Sequence, residues 1–150
     1  MIDANTQAVV RQYLEGVAFN KFLGMRLIQL EATHIQFEFD MRPELVGNPV
    51  HQILHGGVTS AVLDQAGGLM AMVSLVADIK ITSFEQALPH IQNLGTIDLR
   101  VDYIHPGRGE VFTATAQILR RGRKIAVTRM ELHNEQQKLI AAGTATYLVG

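Results

Sequence analysis

Two groups able to act on a carbonyl lie eight residues apart in the middle of the chain: the pair Gly56-Gly57, preceded by His55, and the carboxylate of Asp64. The run from Val58 to Ala77 has no proline and almost no charge, and it is too long for a strand, so it reads as a helix that the glycines open. The first N–H groups of a helix have no internal partner and carry the positive end of the dipole, which suits them to hold a developing oxyanion. Glycine at that point lets a substrate reach the Gly56 amide. A carboxylate held in an apolar helix can serve as a base or as a nucleophile. A helix rises ~1.5 Å per residue, so Gly56 and Asp64 stand ~12 Å apart along the axis. One helix therefore cannot hold both ends of one reacting carbonyl. Two copies running antiparallel across a two-fold axis can, because the start of one then lies beside the middle of the other. The expectation is a homodimer with two composite sites, with a dimer of dimers as the larger assembly.

The elements that must position these groups follow from hydrophobic periodicity. Gly57, Ser60, Ala61, Asp64, Gly67, Gly68 and Ala71 recur at three- and four-residue steps and form a stripe of small residues, while Val58, Val62, Leu69, Met72, Val73 and Val76 make the bulky side. Gly57, Ser60, Gly67 and Gly68 are the candidates for lining a substrate. Upstream, helical spacing of Val9, Val10, Tyr13, Leu14 and Val17 predicts an amphipathic helix from Thr6 to about Phe19, within residues 1–21, capped by Asn5 or Thr6. Strands are predicted over 25–31 and 34–41, the second with Ile35, Phe37, Phe39 and Met41 alternating with polar residues. The stretch 78–94 reads as a connection containing a short helix, opened by Ser83 with Gln86 and interrupted by Pro89. From Thr96 alternation returns, with Ile97, Leu99, Val101 and Tyr103 on one face and Thr96, Asp98, Arg100 and Asp102 on the other. A hairpin around Arg121-Gly122-Arg123 and a last strand from Leu139 to Val149 complete the chain. One α+β domain over residues 1–150, an antiparallel sheet wrapped around a long central helix, satisfies this order.

Composition narrows the function. A net charge of −1 argues against a nucleic-acid binder. The absence of cysteine removes thiolate nucleophiles and zinc–cysteine sites. Met1 to Thr6 lacks a signal-peptide pattern and the long apolar run carries Asp64 and Gln65, so the chain reads as a cytoplasmic protein with no membrane segment. His51 and His55 are four apart, but proline and glycine place them in a loop without a third ligand, so no metal is expected.

With His55-Gly56-Gly57 opening the central helix and an acid at position 64, the layout resembles the hotdog-fold acyl-CoA thioesterases of the PaaI/YigI-like family. The likeness runs from about Phe22 to the end. It is carried by HGGVTSAVLDQAGG, residues 55–68, and GTIDLRVDYIHPGRGE, residues 95–110. It implies that the Gly56 amide polarises a thioester carbonyl while Asp64 of the partner subunit attacks or activates water. It also implies that Thr96 assists the carboxylate and that either Asn48 or Gln52 positions water or the thioester. His55 is assigned to orienting the loop. No cofactor is implied, coenzyme A being part of the acyl-CoA substrate, and Arg108, Arg121 and Arg123 offer cations for its phosphates. The small residues around Asp64, with Val, Leu and Met nearby, favour a medium or long aliphatic acyl group. The alternatives are an acyl-thioester hydratase or dehydratase on the same fold and a non-catalytic acyl-CoA-binding protein.

Overall fold

The computed structural model describes residues 2–150. Its N-terminal segment is two helices, α1 (Ala4–Gly16) and α2 (Ala18–Leu23), where one was expected. Asp3, not Asn5 or Thr6, caps α1, accepting from both of their N–H groups. The break falls at Val17, whose backbone is extended. At about 100° per residue, Leu14 and Leu23 would point to opposite sides of one continuous helix; with the break, both are buried.

The strands are β1 (Arg26–Leu30), β2 (His34–Asp40), β3 (Val46–Asn48), β4 (Ile53–Leu54), β5 (Gly95–Tyr103), β6 (Val111–Arg121), β7 (Ile125–Asn134) and β8 (Leu139–Leu148); the central helix is α3 (Gly56–Val76), followed by α4 (Phe84–Ile91). Six strands form one antiparallel sheet in the order β1-β2-β6-β7-β8-β5, and β3 and β4 pair as a small separate hairpin. The inward residues of β2 and β6, Ile35, Phe37, Phe39, Phe112, Ala114 and Ala116, are buried and alternate with half-exposed polar ones. α3 lies against this sheet, with Val62, Leu63, Ala66, Met70, Ala71 and Val73 fully buried. Its length and hydropathy would also let it cross a membrane, but it is the core helix of the domain. This is the wrapped-helix architecture expected from the sequence.

Two local departures bear on the site. α4 begins as expected at Ser83, whose hydroxyl accepts from the Gln86 N–H, but it runs through Pro89 to Ile91. Pro89 falls in the closing turns of a short helix, so the missing N–H removes little from the ladder. In β5 the register against β8 slips: Thr96 is opposite Tyr147, yet Asp98 is opposite Thr146. The extra residue is a β-bulge at Ile97. Thr96 thus leaves the face of Asp98, Arg100 and Asp102 and joins Leu99 and Val101 on the helix side, while Ile97 turns outward and is 53% exposed.

Candidate active site

The start of α3 is held from three directions. His55 is its N-cap, and Nδ1 accepts from the Gly57 N–H at 2.8 Å. The His55 N–H donates to the Leu45 carbonyl, and the Leu54 N–H to that of Gly107, which moor the helix entrance to the preceding loop and to the β5–β6 connection. The Tyr103 hydroxyl, at the far end of β5, donates to the Gly56 carbonyl at 2.8 Å. Its ring covers Gly56 so closely that a Cβ there would stand 3.3 Å from Cε1. The Gly56 N–H has no partner among the described residues and is available to an incoming oxygen. His55 therefore orients the entrance, and its Nδ1 is committed to the cap.

Asn48 and Gln52 close the turn before this entrance. Asn48 Oδ1 accepts from the N–H groups of Val50 and His51, and the Asn48 carbonyl accepts from the Gln52 N–H at 2.8 Å. Gln52 adopts the left-handed backbone region at φ 50°, and its amide donates to the Pro49 carbonyl at 2.7 Å. Arg108 Nη1 donates to the His51 carbonyl at 3.0 Å and ties the turn to the β5–β6 connection. The side chains of all three residues bond to the turn itself.

Two turns along α3, Asp64 is gripped by two strands. Thr96 Oγ1 donates to Asp64 Oδ1 at 3.0 Å, a contact that the bulge in β5 makes possible. Tyr147, from β8, lies on the same oxygen at 3.1 Å and on the Asp64 carbonyl at 2.9 Å. Tyr147 is 1% exposed. Burial first, and then the negative Asp64 beside it, push its phenol well above the ordinary tyrosine value, so the hydroxyl keeps the proton it donates to Asp64. Both donors converge on Oδ1, and Oδ2 has no hydrogen-bond partner among the described residues.

A cavity of about 150 Å³ opens at this carboxylate, lined among others by Tyr13, Gln65, Gly68, Leu69, Leu94 and Thr96. The small-residue stripe divides around it. Gly68 lines the cavity, but Gly67, expected to line the substrate, faces the sheet: a Cβ there would meet the Tyr147 hydroxyl, with Thr128 Oγ1 at 2.8 Å and Met130 Sδ at 2.9 Å. Gly67 makes room for Tyr147 and only through it serves Asp64. Ser60 Oγ donates back to the Gly57 carbonyl at 3.1 Å and faces the first turn of the helix.

The basic residues do not converge in one chain. Arg108 is at the start of α3, whereas Arg121 and Arg123 belong to the β6–β7 tip, where Arg121 approaches Asp78, just past the helix end, at 3.9 Å. A helix of 21 residues puts those ends ~30 Å apart. Among the described residues there is no group of three or more metal-ligating side chains. All three tyrosines of the chain touch the site: Tyr103 at Gly56, Tyr147 at Asp64 and Tyr13 on the cavity wall. None stood out in the sequence, where Tyr13 and Tyr103 read as members of periodic apolar faces and Tyr147 as one more strand residue.

Comparison with known proteins places this arrangement. The profile of the Thioesterase superfamily matches residues 51–141, from the turn before α3 into β8. The chain is 46% identical, over 95% of its length and 92% of the relative's, to the medium/long-chain acyl-CoA thioesterase YigI of Escherichia coli K12. It superposes on a crystal structure of a Shewanella oneidensis protein related to the thioesterase superfamily with a TM-score of 0.89 at 44% identity, covering 99% of both chains. The E. coli PaaI protein shares the fold at a TM-score of 0.81 and 20% identity, over 100% of this chain and 96% of its own. By sequence along its length and by the sheet wrapped on α3, the chain belongs to the thioesterase superfamily and has its hotdog fold.

Proposed function

We propose that this chain hydrolyses medium- and long-chain acyl-CoA to fatty acid and CoA in the cytoplasm, working as a homodimer with two composite sites. The observation that carries the reading is the paired grip on Asp64: a carboxylate at a cavity, one oxygen fixed by Thr96 and Tyr147, on the same helix as an unpartnered Gly56 amide. The 46% identity to an enzyme of that named activity supports the substrate class.

The exposed sheet edge supports the dimer. β5 ends the sheet, and its outer side carries no partner strand among the described residues, with Ile97 and Tyr103 more than half exposed. β5 holds Asp64 near one end, through Thr96, and Gly56 at the other, through Tyr103. Antiparallel pairing of β5 with its own copy about a central two-fold sets the Thr96 end of one strand beside the Tyr103 end of the other. Asp64 of one protomer then faces Gly56 of the partner subunit.

In that site the N–H of Gly56 of the partner subunit donates to the thioester carbonyl oxygen and stabilises its developing charge. In one route Asp64 Oδ2 takes a proton from a water whose oxygen attacks the carbonyl carbon, the C–S bond breaks, and that proton passes to the departing CoA sulfur; in the other Oδ2 itself attacks the carbon, the C–S bond breaks with CoA thiolate leaving, and a water then hydrolyses the mixed anhydride to fatty acid and free Asp64. Arg108, Arg121 and Arg123, from opposite ends of α3, can serve the CoA phosphates once two chains are joined. The test is CoA release from acetyl-, benzoyl-, decanoyl- and palmitoyl-CoA by the wild-type protein and by Asp64→Asn. Turnover of the aliphatic longer substrates, lost in a folded, dimeric Asp64→Asn, is expected. Undiminished turnover in Asp64→Asn, or a preference for acetyl or benzoyl groups, overturns the reading.

A further inference from the structure

Tyr13 borders two separate cavities. This residue of α1 lines the carboxylate cavity and also lines a second one of about 280 Å³, at the seam between α1 and α4, together with Gln12, Gly16, Val17 and Phe84. The Tyr13 ring stacks on Phe84, with centroids 6.3 Å apart and planes 25° from parallel. Gly16 looks onto open space, since a Cβ there would meet nothing within 4 Å.

Size decides how the two cavities are used. The one at Asp64 holds about 150 Å³, below the roughly 300–1,000 Å³ typical of small-molecule sites; joined to its neighbour, it falls within that range. An acyl tail of more than a few carbons, starting with its carbonyl at Asp64, outgrows the first cavity and meets Tyr13. The geometry points to Tyr13 and Phe84 as an aromatic partition between the reaction cavity and a tail chamber, with Gly16 keeping that chamber open. The α1–α4 seam then sets the length of acyl group the enzyme takes. This assignment rests on the reading of the protein as an acyl-CoA hydrolase.

The partition is tested by kcat/KM for hexanoyl-, decanoyl- and palmitoyl-CoA in the wild type, Gly16→Leu and Tyr13→Ala, with melting temperatures recorded alongside. Each buried methylene contributes about 0.8 kcal/mol, or about fourfold. A leucine side chain filling the chamber displaces about three of them, so the palmitoyl-to-hexanoyl ratio falls roughly fiftyfold in Gly16→Leu. Tyr13→Ala joins the cavities and raises that ratio by about fourfold or more. Non-hydrolysable S-alkyl thioethers of CoA give the same reading by binding: the affinity gained per added carbon stops at a shorter chain in Gly16→Leu. An unchanged ratio in folded Gly16→Leu refutes the partition while hydrolysis itself stands. If the wild type hydrolyses none of the three substrates, the proposed function fails and the partition fails with it.

Discussion

Replacing Tyr147 by Phe removes one oxygen atom and, with it, the contacts to the Asp64 carbonyl and to Oδ1. A hydrogen bond to a charged group contributes about 1.5–3 kcal/mol. Here one proton is shared between two acceptors, so the low end applies, and about 1.5 kcal/mol corresponds to roughly tenfold in rate. Thr96 remains on Oδ1 and keeps the carboxylate partly oriented. The expected result is a kcat about tenfold lower with KM changed by less than about twofold, because the lost bond orients the reacting acid and holds no part of CoA. Thr96→Val acts on the same oxygen, and the double variant Tyr147→Phe with Thr96→Val should lose less or more than the two single effects combined, as coupled neighbours do. Steady-state CoA release, on protein shown to be folded by its melting curve, measures these effects. A folded Tyr147→Phe with wild-type kcat would show that Asp64 needs no such orientation.

Other perturbations separate packing from capping and charge. Gly67→Ala should cost about 1–3 kcal/mol by thermal unfolding, because its methyl lands on Tyr147, Thr128 and Met130; Gly16→Ala, facing open space, should be neutral or stabilising by up to about 1 kcal/mol. His55→Ala leaves the Gly57 N–H without its cap acceptor and should lower the melting temperature by about 2–4 °C for a loss near 1 kcal/mol, while His55→Asn, which can still cap, loses less. Stability should also fall on acidification through two carboxylates held below their ordinary range: Asp3 by the Thr6 hydroxyl and helix N–H groups, and Asp40 by the Arg26 guanidinium. Their contribution is complete above the ordinary aspartate value of 3.8 and is lost as pH drops through the lower folded-state value. A melting-temperature series should therefore slope less steeply below that point in Asp3→Asn.

How much of this was legible in the sequence differs from residue to residue. The central helix and its acid were plain, because a charge-free run of that length admits one reading and Asp64 interrupts it alone. The entrance was plain for the same local reason, since His55 precedes two glycines and caps the turn they begin. Thr96 could be found by likeness, yet alternation assigned it to the wrong face: a bulge adds a residue without leaving a mark in the pattern, and only the pairing with β8 reveals it. The break at Val17 is likewise invisible to periodicity within α1 and follows from the need to bury both Leu14 and Leu23. Tyr147 was out of reach because its role is set by a partner 83 positions away, and nothing near it in the chain marks it. Arg108 and Arg123 were placed correctly on turns, whereas Arg121 is the last residue of β6, and only the topology shows that these cations lie at opposite ends of α3.

Tyr147 is at once a large core side chain and the donor that aims Asp64. In many enzymes groups that serve the reaction weaken the fold, so that gains in robustness are bought with lost turnover. At this residue the two demands coincide: whatever tightens the interior around the phenol also steadies the acid. Laboratory evolution for heat resistance that repacks the neighbourhood of Gly67, Thr128 and Met130 should consequently retain activity or improve it, and selection for activity alone should yield hardier proteins as a by-product.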